Sequence, residues 1–142
     1  MNSTHFLGEW FDCGASINAM SDPAAIRALC VEHVMRHRLT IAYDFFTHSA
    51  HEGVIGALIA EDMHMVVRTF PARRAMNVDL YARQHRHSDI AMAFEVMDGL
   101  RDDFRPARSV LHRVQQGVES YPAGRVAVAP TQAFAGARWL AA

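Results

Sequence analysis

Two arginines carry the most obvious chemical potential in this chain. Arg68 lies near the end of a strand-like stretch over 64–70, and Arg83 closes the next one, over 76–83. Consecutive stretches of this kind become neighbouring strands, and two adjacent guanidinium groups could grip one carboxylate or phosphate in forked geometry. The alternative is internal, with each arginine neutralising a local acid: Glu9, Glu61, Asp62 or Asp79. Internal pairing is the simpler use, because an acid such as Asp79 inside a strand is costly to bury without a partner.

The other reactive side chains form weaker patterns. His48, His51, His85 and His87 are loosely spaced, and no cysteine or fixed carboxylate completes a set. A structural zinc site takes four protein ligands, so no metal is predicted and these histidines are read as loop residues. Nine histidines could change the net charge near pH 6, but scattered surface imidazoles are the plainer reading. No serine, histidine and acid order suggests a hydrolase, and no glycine-rich phosphate loop is present. Cys13 and Cys30 have neither metal-site nor disulfide-scaffold spacing and are expected as free, buried thiols. Met63, Met65, Met76, Met92 and Met97 are read as core.

These residues must be positioned by one compact unit, since 142 residues are most economically a single domain. With 51% hydrophobic and 20% charged residues the chain should fold, and a net charge of -1 gives no support to nucleic-acid binding. The purest apolar run, Val54–Ala60, is too short to cross a membrane, and no secretory leader is evident, so a cytoplasmic location is expected.

Alternation and β-propensity predict strands over 5–11, 40–46, 54–60, 64–70, 76–83 and 109–115. The middle four form a meander, with Val54–Ala60 inside the sheet because it is apolar on both faces. Asp22 and Pro23 should start a helix reaching about Arg38, with Ile26, Leu29, Cys30, His33, Val34 and His37 on one side. Ser88 or Asp89 should start a second, with Ile90, Ala93, Phe94, Met97, Leu100 and Phe104 aligned before Pro106. The expected fold is α/β of the α+β kind: a two-layer sandwich in which two helices cover one face of a mainly antiparallel sheet. Residues 1–116 form the domain, and 117–142 a tail that docks on the body or on a partner. The uncovered sheet face is expected to meet a second copy in a homodimer.

The order of these elements, and several short motifs within them, resemble the small bacterial type of S-adenosylmethionine decarboxylase. The resemblance rests on His5-Phe6-Leu7 with Glu9, Gly53-Val54-Ile55-Gly56, His64 with Thr69-Phe70-Pro71, and Val78-Asp79-Leu80-Tyr81. It implies a chain that cuts itself between glutamate and serine, leaving a pyruvoyl group that acts as electron sink for decarboxylation. The matching pair here is Asp62-Met63, and Met63 has no hydroxyl with which to attack the preceding carbonyl. The processing histidine is matched by Arg68, the proton-donating cysteine by Arg83, and the serine of the glycine-flanked turn by Ile55. Ser49 stands where an aromatic residue would stack on adenine, while Glu9 could still meet an ammonium or ribose group.

The expectation is therefore a protein without catalytic residues or a cofactor. It would bind a small anionic or S-adenosylmethionine-like metabolite in a remnant pocket of Glu9, Met63, His64, Arg68, Asp79 and Arg83, or regulate an active relative in polyamine and spermidine metabolism as a heterodimer. The alternative is an enzyme with new, pyruvoyl-independent chemistry on a nucleoside or amino-acid substrate.

Overall fold

The computed structural model describes residues 2–50 and 53–117. Six strands, β1 (Asn2–Cys13), β2 (Ile41–His48), β3 (Val54–Ala60), β4 (Met63–Phe70), β5 (Ala75–Gln84) and β6 (Pro106–Gly117), form one sheet in the order β2-β3-β4-β5-β1-β6. Every pair is antiparallel. The meander from β2 to β5 and the interior place of β3 follow the sequence expectation. β1, first in the chain, inserts between β5 and β6.

Period-two alternation gives the sheet two unlike faces. Phe6 and Trp10 of β1, Leu58 of β3, Met63, Met65 and Val67 of β4, and Met76, Val78 and Leu80 of β5 enter one core. Helix α2 (Pro23–Met35) adds Ile26, Cys30 and Val34 to it, and α3 (His87–Phe104) adds Ala93, Val96, Met97, Leu100 and Phe104. Burying an aliphatic side chain of this size contributes about 1.5–3 kcal/mol, so this layer supplies most of the apolar driving force. Between β3 and β2 the fit is close: a Cβ on Gly56 would come within 2.1 Å of the Phe46 ring opposite it, so glycine alone lets the ring lie on the strand.

Helix α2 starts as predicted. The Asp22 carboxylate accepts from the Ala24 amide at 3.0 Å, and Pro23 occupies the first turn. Two local features differ from the sequence expectation. The stretch before Asp22, for which the sequence predicts no element, contains a short helix, α1 (Ile17–Ser21), whose Ser16 hydroxyl accepts from the Ala19 amide at 3.1 Å and whose Met20 is fully buried. Five residues are too few to show helical periodicity. In α3 neither Ser88 nor Asp89 is the cap: the helix begins at His87, and Asp89 in its first turn reaches back to accept the amides of His85 and Arg86 at 2.8 Å each. The strands β1 and β6 also run further than alternation predicts. The tail beyond Gly117 lies outside the described residues.

Candidate functional site

The helices cover one face of the sheet, and the opposite face holds five of the six candidate residues. Cross-strand register arranges that open face in rows. One row runs Thr47, Ile55, Arg68, Asn77, Glu9, Val110, from β2 to β6. The next runs Phe45, Ala57, Val66, Asp79, Leu7, His112, and the third Tyr43, Ile59, His64, Tyr81, His5, Val114. Residues directly opposite in an antiparallel ladder point to the same side, so each row is a continuous line of side chains.

The third row is a run of rings. His64 stacks on Tyr81 with centroids 4.8 Å apart and planes at 15°, and His5 meets the same tyrosine edge-on at 6.0 Å. His5 also hydrogen-bonds Asp79 in the neighbouring row, across two side chains that both remain partly open to solvent. Arg68 is exposed and Glu9 half-buried, and neither takes part in a hydrogen bond or ion pair among the described residues. They flank Asn77 on the two adjacent strands, about 10 Å apart at the usual spacing between strands.

Arg83 sits elsewhere. Arg68 is opposite Asn77, whereas Arg83 follows Ala82, which is opposite Met63 at the other end of the β4–β5 ladder. The six residue steps from Asn77 to Arg83 separate the two arginines by about 20 Å at the usual strand rise. A single carboxylate therefore cannot be forked by both. The Arg83 backbone amide donates to the Asp62 carbonyl at 2.8 Å, and the Asp62 carboxylate accepts from His85 at 3.0 Å, so the Arg83 backbone and the His85 ring both hold the turn between β3 and β4.

Met63 separates from the other candidates altogether. It is the first residue of β4, and its side chain is 2% exposed in the core beneath the helices. Ser49 closes the approach to β3, its hydroxyl accepting from the Gly53 amide at 3.2 Å. Ile55 lies beside Arg68 on the open face. Cys30 is deep in the helix layer, where burial first and the Asp103 charge second push its thiol up to about 12, so it is no nucleophile at neutral pH. Among the described residues no three metal-ligating side chains converge.

Sequence reasoning missed His5, Tyr81 and Asn77 as members of this face. Alternation puts His5, Leu7 and Glu9 on one side of β1, but only the β1–β5 register places them beside Tyr81, Asp79 and Asn77.

Residues 4–117 match a family model described as S-adenosylmethionine decarboxylase. The fold is similar to the crystal structure of the adenosylmethionine decarboxylase from Aquifex aeolicus VF5, with a TM-score of 0.71, 19% sequence identity, and coverage of 88% of this chain and 97% of that one. Comparison with curated proteins gives no match.

Proposed function

The chain belongs to the S-adenosylmethionine decarboxylase family, and from that premise we propose that it is a member that neither cuts itself nor carries a pyruvoyl group and that works by binding. The observation that carries this reading is Met63. The residue at the hinge where relatives form the cofactor is a thioether with no hydroxyl to attack the Asp62 carbonyl, and its side chain is packed in the core. A pyruvoyl group does not fit these residues. Arg68 and Arg83 stand in place of a histidine and a cysteine, and a guanidinium group supplies positive charge where those side chains supply proton transfer.

The binding surface in this reading is the open sheet face. Tyr43, Phe45, Ile59 and Phe70 lie on it and are 57%, 54%, 45% and 40% exposed, a density of large apolar groups that favours a covering sheet. A second chain of this fold, its own copy or an active relative, supplies such a cover, and a small metabolite with a carboxylate or ammonium group would meet Arg68 or Glu9 between the layers.

Intact mass of the purified protein tests the first half: one species near 15.9 kDa is expected, and two fragments would overturn the reading. Thermal melts with S-adenosylmethionine, its decarboxylated form, polyamines and simple carboxylates test the second, because a ligand of the folded state raises the melting temperature. Turnover of any of these, lost on Arg68→Ala, would replace binding by catalysis.

A further inference from the structure

The two outer strands end the sheet in different ways. β2 is short, its pairing with β3 slips between Ile41 and Tyr43, and Asp44, opposite the core residue Leu58, is an inward acid held by Arg27 of α2 at 2.6 Å. A bulge and an inward charge are devices that keep a free edge from recruiting another strand. β6 has neither. Its 12 residues pair with β1 from Asn2↔Gly117 to Cys13↔Pro106 in one unbroken register, and among the described residues no strand lies on its other side. Alternate residues of an antiparallel edge strand turn their amides and carbonyls away from the sheet, so β6 presents a straight row of outward donors and acceptors about 36 Å long. Its arginines do not guard that row: Arg108 and Arg113 lie over the Phe11 and Phe6 rings of β1, at 4.3 and 5.7 Å. We propose that residues 125–129 of the same chain add to this edge as a seventh, antiparallel strand.

The position of this segment in the chain favours it over any other occupant. β6 ends at Gly117, so the residues that follow start at this edge. Tyr121-Pro122-Ala123-Gly124 carries proline in the second place and glycine in the fourth, the pattern of a type I turn that reverses the chain. The next residues read Arg125-Val126-Ala127-Val128-Ala129, with β-branched valine at every second place, and Pro130, which has no amide to give a ladder, closes the run. Val126 and Val128 share one face by period two. Leu111 of β6 is opposite Gly8, where a Cβ would meet Met97 of α3, so it lies on the helix side, yet it is 43% exposed; it is the apolar group that those valines would cover. Five residues of strand extend about 17 Å, roughly half of β6. A segment tethered by so short a connection meets the edge at an effective concentration on the order of millimolar, which a separate chain does not match. The inference concerns the edge of the sheet and does not depend on what covers the open face or on the absence of self-cleavage.

Residue-resolved amide hydrogen exchange of the full chain tests the pairing, with Val126→Pro and Ala127→Pro combined as the variant. Adjacent strand residues point their amides to opposite sides, so the double change removes an inward donor whichever register is used. In wild type the β6 amides that face away from β1 should exchange slowly, and in the variant faster by on the order of tenfold or more, while the amides of β1 keep their protection and show that the domain is folded. Fast exchange at the outward amides of wild type overturns the proposal. So does slow exchange that the variant retains, since another chain then occupies the edge; a dependence on protein concentration identifies that chain as a second copy. Cross-strand nuclear Overhauser contacts between residues 125–129 and β6 in wild type test the pairing without any substitution, and their absence also overturns it. In a mixture of labelled and unlabelled chains these contacts should stay within one chain; contacts between chains would mean that the segment pairs with another copy's β6 and would overturn pairing with its own.

Discussion

Asp89 shows how one carboxylate can hold an element in place. Burial pushes its pKa up, but the amide hydrogen bonds from Arg86 and His85 outweigh burial, with further help from the charges of those two residues, and hold it below the ordinary 3.8. A carboxyl whose pKa is lower in the folded than in the unfolded state contributes stability above the unfolded value and loses it as pH falls through the folded one. Asp89→Asn should therefore cost about 1 kcal/mol at neutral pH, the usual worth of a helix-start contact. Below pH 4 the difference from wild type should shrink, and urea unfolding at the two pH values measures it. Asp89 was visible in the sequence as a helix-start residue; its part as the acceptor for two preceding amides was not, because propensity ranks residue types and does not specify which amide a carboxylate will reach.

Between elements, one close joint is α2 against α3. His33, 6% exposed, hydrogen-bonds Asp103 at 2.6 Å and is buried where helical periodicity placed it. Its ring leaves no room for a side chain opposite: a Cβ on Gly99 would lie 2.4 Å from its Nδ1. Gly99→Ala should lower stability by about 1–3 kcal/mol even though alanine is the better helix former, because the imidazole must turn away and give up Asp103. Chemical denaturation measures the loss, and Gly99→Ala with His33→Ala should recover part of it. The helices and strands themselves were legible, since Ile26, Cys30 and Val34 and then Ala93, Met97 and Leu100 recur at helical steps, and Val54–Ala60 matches its predicted bounds. The ends of β1 and β6 were not, because Asn2 and Pro106 become strand only through pairing with distant partners.

At the scale of the whole molecule the same distinction separates what could be read of the site from what could not. Arg68 and Arg83 do fall on neighbouring strands, but adjacency says nothing about register, and register puts them at opposite ends of a hairpin while bringing Glu9 to the far side of Asn77 from Arg68. The sheet order has a kinetic consequence as well. The β2–β5 meander closes through local hairpins, whereas Asn2 of β1 must find Gln84 on one side and Gly117 on the other. Contacts of that separation slow folding, toward the millisecond-to-second range usual for non-local sheets, and stopped-flow refolding should find the rate there. On the ribosome β1 emerges first, yet it has no neighbour until the meander is nearly complete, and its second neighbour is synthesised only after α3. The first strand to be made is among the last to be housed, so the newborn chain carries Phe6 and Trp10 uncovered for most of its synthesis, a period in which chaperones and aggregation compete for it.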